Sequence, residues 1–112
     1  MASAKRLVFR AAALADVEVA TDWYVDESGV DVAARFVVAL EGAYEHIARQ
    51  PTTGSPRWGV ELNIAELRAW PLTRYPYLVF YVERAQHVEV WRVLHGARDI
   101  PATLAEPDAP AR

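Results

Sequence analysis

The sequence contains no cysteine, a single lysine and no long apolar run. Without cysteine, neither a disulfide nor a thiolate metal site can form. No apolar stretch approaches the ~20 residues that are needed to cross a bilayer, and the N-terminal residues lack the apolar segment of a secretory signal. We therefore expect a cytoplasmic protein that makes no contact with a membrane.

Motifs for cofactor binding and catalysis are also missing. There is no GxGxxG or GxxxxGK[ST] loop for phosphates, no HExxH pair for zinc and no GxSxG elbow for a nucleophilic serine. We therefore expect no cofactor, no metal and no catalytic residue. One set of residues is a candidate for RNA cleavage: Arg68, Arg92, His95 and Arg98. If they converged, they could clamp a phosphate and move a proton, as an RNA-cleaving site requires. Strand alternation places Arg92 and His95 on opposite faces, which favours structural or interface roles.

The sequence carries less positive charge than nucleic-acid-binding proteins usually do. The net charge is −3, and eleven of the twelve basic residues are arginine. Nucleic-acid binders usually carry a basic face, so we expect no direct sequence-specific nucleic-acid binding. Arginine has a planar fork that suits protein interfaces better than lysine does.

Two helices are predicted after a short strand at residues 5–10. The first helix covers 11–28, with an apolar stripe of Leu14, Val17, Ala20 and Tyr24, and Gly29 ends it. The second starts at Asp31 as N-cap and runs to about residue 50, where Pro51 stops it. Its apolar stripe is the clearest periodic signal in the chain: Ala33, Phe36, Val37, Leu40, Ala43, Tyr44 and Ile47.

Three strands are predicted in the second half, at residues 64–70, 77–84 and 87–95. The middle strand is apolar at both parities and is therefore expected to be buried on both faces. Residues 51–61 before them are rich in Pro and Gly and predict a loop, in which Trp58 folds over the core or faces a partner. Residues 101–105 have the composition of one helical turn.

The predicted fold is α+β with the order β-α-α-β-β-β. A helical hairpin packs on one face of a mainly antiparallel four-stranded sheet and leaves the other face largely open. Residues 1–106 form a single domain, and residues 107–112 form a disordered tail. An open sheet face that carries aromatic residues is a candidate interaction surface.

Several motifs in this order resemble the ParE branch of the RelE/ParE superfamily of bacterial toxins, over about residues 5–104. The most specific is the closing RVLHGARD, from Arg92 to Asp99. The other matching positions are Ala15-Asp16, Trp23-Tyr24, Ala34, Phe36, Leu40, Gln50-Pro51 with Gly54, Leu67-Arg68, Tyr75-Pro76-Tyr77 and Phe80-Tyr81.

The resemblance implies the toxin of a type II toxin–antitoxin module. A ParD-like antitoxin encoded beside it would neutralise it by direct binding in a hetero-oligomer. The implied target is DNA gyrase, whose inhibition would block replication. Such a toxin binds and is not an enzyme. Aromatic and arginine residues are typical interface anchors, which predicts an antitoxin- or target-binding set of Trp58, Arg68, Trp70, Arg74, Trp91, Arg92, His95 and Arg98.

Two alternatives remain on the same fold. The RelE branch cleaves mRNA on the ribosome, and a degenerate family member would be non-toxic and kept only for complex formation. RelE-like proteins are usually strongly basic and carry basic and Tyr residues near the C-terminus. This chain is acidic, and after His95 it has only Arg98 and Arg112 and no Tyr. Both departures favour the ParE interpretation.

Overall fold

A computed structural model describes residues 3–105, which form an α+β fold with the predicted order of the main elements. The elements are β1 (Arg6–Phe9), α1 (Ala11–Ser28), α2 (Val30–Arg49), a 3-10 turn (Pro51–Thr53), α3 (Arg57–Leu62), β2 (Leu67–Pro71), β3 (Tyr77–Glu83), β4 (His87–His95) and α4 (Ile100–Leu104). Within this described part, no helix is both long and apolar enough to cross a membrane. The predicted tail at residues 107–112 lies outside the described residues.

The sheet has the strand order β1-β4-β3-β2 and is mixed. β1 runs parallel to β4, whereas the β2–β3 and β3–β4 pairs are antiparallel, as the prediction of a mainly antiparallel sheet requires. A bulge interrupts the last pair, because Phe80 lies opposite Arg92 while Tyr81 lies opposite Val90. Trp91 is therefore the extra residue of β4.

The helical hairpin covers one face of the sheet, and α2 uses the stripe that its sequence predicts. All seven stripe residues of α2 are buried or half-buried. The stripe predicted for α1 is partly wrong, because Leu14 is 57% exposed and Ala13 is fully buried. The reason is that α1 packs on both α2 and β4, which brings Ala13 into the core beside the predicted Ala20 and Tyr24.

The two helices are joined by Gly29 alone. Its φ of +91° lies in the region that glycine adopts without steric cost. This single residue reverses the chain, so α2 begins at Val30 and the predicted N-cap Asp31 instead lies in the first helical turn. The carboxylate there still interacts favourably with the helix dipole.

The opposite face of the sheet is not largely open, contrary to the prediction. Helix α3, which lies inside the predicted loop, and helix α4 cover the side formed by β2 and β3. A second core of Leu67, Ala69, Phe80, Val82, Leu94 and Ile100 lies beneath them, with Trp58 and Trp91 packed against it. Residues Val79 to Val82 of β3 are buried on both faces, as predicted. The open part of this face is restricted to β1 and the first half of β4.

Candidate binding pocket

A pocket of about 600 Å³ lies between α1 and the C-terminal end of β4. Helix α1 supplies one wall through residues that are three or four positions apart, and therefore lie on one helical face. β3, β4 and the segments next to them supply the other wall. The lining residues are Asp16, Val19, Ala20, Trp23, Tyr24, Ser28, Pro76, Tyr77, Val93, His95 and Arg98. We call this site the α1 pocket.

Two large apolar side chains beside the α1 pocket are exposed to solvent. Val19 is 71% exposed and Trp23 is 54% exposed, while the neighbouring Tyr24 is buried in the core. The Trp23 ring meets the Tyr24 ring edge-on at 5.1 Å, which supports the exposed indole from one side. A concave apolar site with an adjoining exposed apolar patch is typical of ligand and protein binding.

A nearly buried ion pair between Arg92 and the pocket-lining Asp16 ties α1 to β4. The Asp16 carboxylate accepts hydrogen bonds from Nε and Nη2 of Arg92, both at 2.8 Å, and from the backbone N–H of Val93 at 2.9 Å. β1 ends opposite Val90, so the edge of β4 beyond that point is available to this carboxylate. The bidentate geometry fixes α1 relative to the strand.

His95 and Arg98 lie at the polar rim of the pocket. The backbone N–H of Ala97 donates to Nδ1 of His95 at 3.0 Å, and the imidazole packs edge-on against Tyr77 at 5.2 Å. Burial raises the pKa of the Tyr77 phenol, and the positive charge of Arg98 opposes that shift. Arg98 is exposed, so its guanidinium is available to a partner's carboxylate.

The eight residues predicted to bind a partner are divided among several parts of the molecule. His95 and Arg98 line the α1 pocket. Arg92 does not line it, but its guanidinium holds the lining residue Asp16. Trp58 and Trp91 pack against the second core, on the opposite face of the sheet. The structure therefore brings two of the eight, His95 and Arg98, together at the pocket.

The remaining three lie on β2 or directly after it. Nη1 of Arg68 donates to the carbonyl of Gly54 at 2.8 Å and so holds the loop before α3. The Trp70 ring stacks on the imidazole of His46 at 3.8 Å, which joins β2 to α2. Arg74 is exposed in the turn between β2 and β3, with a φ of +69°. The first two thus have contacts that explain them within the fold.

The arginines and histidine weighed as an RNA-cleaving set do not share one location. Arg68 lies on β2, which is separated from β4 by β3. Arg92 lies opposite Phe80, on the other face from His95, as strand alternation predicts. Across residues 3–105, no cluster of three or more His, Cys, Asp or Glu side chains has the arrangement of a metal site.

Sequence reasoning missed the side chains of α1 that form the pocket. Asp16, Val19 and Trp23 are not among the predicted binding residues. A signal was present in Trp23-Tyr24, because two adjacent aromatic residues on a helix cannot both point into the same core. One of them must lie near the surface.

Comparison with known proteins identifies the family. A family model described as "ParE toxin of type II toxin-antitoxin system, parDE" matches residues 7–100, from β1 to the first residue of α4. The chain belongs to the ParE toxin family. It is therefore a toxin component of a type II toxin–antitoxin system, as its sequence motifs imply.

Structural comparison agrees with membership of the ParE toxin family. A solved structure described as the chromosomal ParDE toxin–antitoxin system from P. aeruginosa matches with a TM-score of 0.69 at 18% sequence identity. The match covers 81% of this chain and 95% of that one. At this identity the likeness establishes the shared fold. A comparison with curated protein sequences gives no significant match.

Proposed function

We propose that this ParE-family toxin acts by binding and not by catalysis. A ParD-like antitoxin neutralises it by direct binding at the α1 pocket, within a toxin–antitoxin hetero-oligomer. The free toxin inhibits DNA gyrase in the cytoplasm and so blocks replication. The observation that carries antitoxin binding is the exposed apolar surface of Val19 and Trp23 beside the pocket.

The dimensions and lining of the α1 pocket suit one or two side chains of a protein partner. Its volume of about 600 Å³ falls within the range of roughly 300–1,000 Å³ for ligand sites. Trp and Arg are the residue types most often found as interface hot spots, and Trp23 and Arg98 lie on opposite walls. A helical antitoxin segment with an apolar residue and a nearby carboxylate would contact both, in the helix-in-groove mode.

Charge and geometry support gyrase inhibition over cleavage of mRNA on the ribosome. A net charge of −3 is unfavourable for docking onto ribosomal RNA. The candidate catalytic arginines are also occupied, since Arg92 holds Asp16 and Arg68 holds the Gly54 carbonyl. The choice of gyrase as target follows from the family.

Antitoxin binding is tested by a matched pair of valine substitutions. Val19→Asp places a charge beside the α1 pocket, and Val38→Asp places the same charge on α2, where Val38 is 66% exposed. Both sites are exposed helical positions, so the two variants should unfold at similar temperatures. We expect Val19→Asp to weaken antitoxin binding by at least about tenfold, because a carboxylate would be desolvated against apolar groups. Equal affinities of the two variants in calorimetric titrations would reject the pocket as the docking site.

The target is tested by inducing the toxin without antitoxin and pulse-labelling DNA and protein synthesis in parallel. Gyrase inhibition predicts that DNA synthesis stops first, and that the purified toxin blocks supercoiling by gyrase holoenzyme. An early stop in translation with cleaved mRNA ends would instead indicate the RelE-type activity. Normal growth would indicate a non-toxic member of the family.

A further inference from the structure

The part of the sheet that α3 and α4 leave uncovered carries a compact cluster of charged and aromatic side chains. We call it the β1–β4 face, and it consists of Arg6, Val8, Arg10, Arg84, Glu89 and Trp91. Leu7 and Phe9 of β1 pack against the helical hairpin, so Arg6 and Val8 point to this opposite face. Arg6 is exposed, and Val8 is 37% exposed.

Glu89 is the organising residue of the β1–β4 face. Its Oε1 accepts hydrogen bonds from the Trp91 indole N–H at 2.7 Å, from Arg84 at 3.2 Å and from Arg10 at 3.3 Å. The Arg10 guanidinium lies 3.8 Å from the centre of the Trp91 ring. Burial alone would raise the pKa of Glu89, but the hydrogen bonds from Trp91 and Arg84 and the nearby arginine charges outweigh it and lower that pKa.

These contacts hold Trp91, Arg10 and Arg84 in one arrangement before any partner binds. Long arginine side chains lose rotamer entropy when they are fixed at an interface, and side chains that are already fixed lose less. Trp and Arg are also the commonest hot-spot residues. Because β1 and β4 present this cluster without a covering helix, it has the composition and the rigidity of a binding surface.

The charge of the face indicates the chemistry of its partner. Three arginines lie with one glutamate, which makes this surface basic in a chain whose net charge is −3. A protein segment that bears carboxylates is complementary to it. A phosphate backbone is less suitable, because it extends beyond this patch along a chain whose net charge is −3, whereas a short acidic segment meets the patch alone.

We propose that the β1–β4 face is the surface by which the toxin docks onto an acidic segment of its target protein. This inference rests on the proposed function and adds a second surface to it. Trp91 packs toward the second core, whereas Tyr77 and Val93 of the α1 pocket pack toward the helical hairpin. The two sites therefore lie on opposite faces of the sheet, and a substitution at one can be separated from the other.

Charge reversal at Arg84 is the test of this surface. The Arg84 side chain is 45% exposed, so Arg84→Glu reverses a charge at the face with little effect on packing. Arg35→Glu is the matched control, because Arg35 is exposed on α2 at the other side of the molecule and its change of net charge is identical. Four quantities are measured for each variant: growth inhibition on induction, the concentration that half-inhibits gyrase supercoiling, antitoxin affinity and melting temperature.

We expect Arg84→Glu to lose growth inhibition and to need at least about ten times more toxin for half-inhibition of gyrase, because like charges would then face each other. Its antitoxin affinity should remain close to that of Arg35→Glu. Its melting temperature should be only slightly lower, because the new carboxylate lies near Glu89 at a half-exposed position. Undiminished growth inhibition by Arg84→Glu would overturn the proposal. If the unaltered toxin arrests growth without affecting gyrase, the choice of gyrase is wrong, and growth inhibition alone still tests the face.

Binding to duplex DNA provides a further arm of the test. Fluorescence anisotropy with a labelled oligonucleotide measures whether the unaltered toxin binds DNA and whether Arg84→Glu removes that binding. No DNA binding at physiological salt supports an acidic protein segment as the partner. Salt-dependent binding that Arg84→Glu removes would overturn it and would assign the face to nucleic acid.

Discussion

Replacing Asp16 by alanine is the sharpest test of how the α1 pocket is held in shape. The Asp16 side chain is 9% exposed and its partner Arg92 is 17% exposed, so solvent screens this ion pair little. Alanine would remove the acceptor of two guanidinium hydrogen bonds and of the Val93 N–H. Breaking a buried pair costs about 3–5 kcal/mol, and we expect about 3 kcal/mol here because the pair retains some exposure.

The expected loss is a large part of the stability of a domain of this size, which is on the order of 5–15 kcal/mol. Thermal unfolding should show a melting temperature lower by roughly 12 °C, at about 4 °C for each kcal/mol. Asp22→Ala is the control, because Asp22 is an exposed residue of the same helix. Equal melting temperatures for the two variants would refute a structural role for Asp16. A fall only in Asp16→Ala would show that Arg92 stabilises the fold, whatever it also does for a partner.

Two further predictions concern tyrosines in the core. Tyr81→Phe should lower the free energy of unfolding, measured by chemical denaturation, by about 1–3 kcal/mol. The reason is that the buried Tyr81 hydroxyl donates to the Pro51 carbonyl at 2.7 Å and accepts from the Gly54 N–H at 3.1 Å. An unchanged denaturation midpoint would mean that water replaces both bonds. Burial, with a contribution from the Asp16 carboxylate, raises the pKa of Tyr44 to about 12. The folded state therefore keeps a proton that the unfolded state loses near pH 10, so stability should fall between about pH 10 and pH 12. Tyr44→Phe should reduce that slope, and an identical slope in both proteins would contradict the raised pKa.

The sequence patterns predicted the structure best for elements that bury a single face. Helix α2 meets the core through a single stripe, so period and burial agree along its whole length. Helix α1 also contacts β4 and the α1 pocket, and its apolar residues therefore point in several directions. No periodicity argument distinguishes the exposed Leu14, Val19 and Trp23 from residues of the core.

Helix α3 and the covering of the second sheet face were missed for a different reason. Six residues are less than two helical turns, which is too short for a hydrophobic period to emerge. The flanking Pro56 and Gly54 favour a loop when they are considered locally. What stabilises this helix is its position over β2, where Trp58 packs edge-on against Phe80, and that contact joins residues that are distant in the chain.

The candidate sites depend on contacts between distant residues even more strongly. Asp16 and Arg92 are 76 positions apart, and Arg10 and Glu89 are 79 positions apart. Composition drew attention to Trp and Arg as binding residues, which stays a prediction, and the family resemblance is confirmed. Neither composition nor the resemblance distinguishes an arginine that fixes the fold from one that faces a partner, because both types lie on or beside the same strands.

The positions of the arginines suggest how one small domain could serve both an antitoxin and a target. Arg92 clamps α1 onto β4 at one end of the strand, and Arg10 clamps β1 onto β4 through Glu89 nearer the other. Each clamp leaves a second arginine beside it more exposed, Arg98 at the α1 pocket and Arg84 at the β1–β4 face. If both proposals hold, an antitoxin seated at the pocket does not cover the target surface directly. Neutralisation would then require either a second antitoxin segment that reaches the β1–β4 face or a steric block by the bulk of the complex.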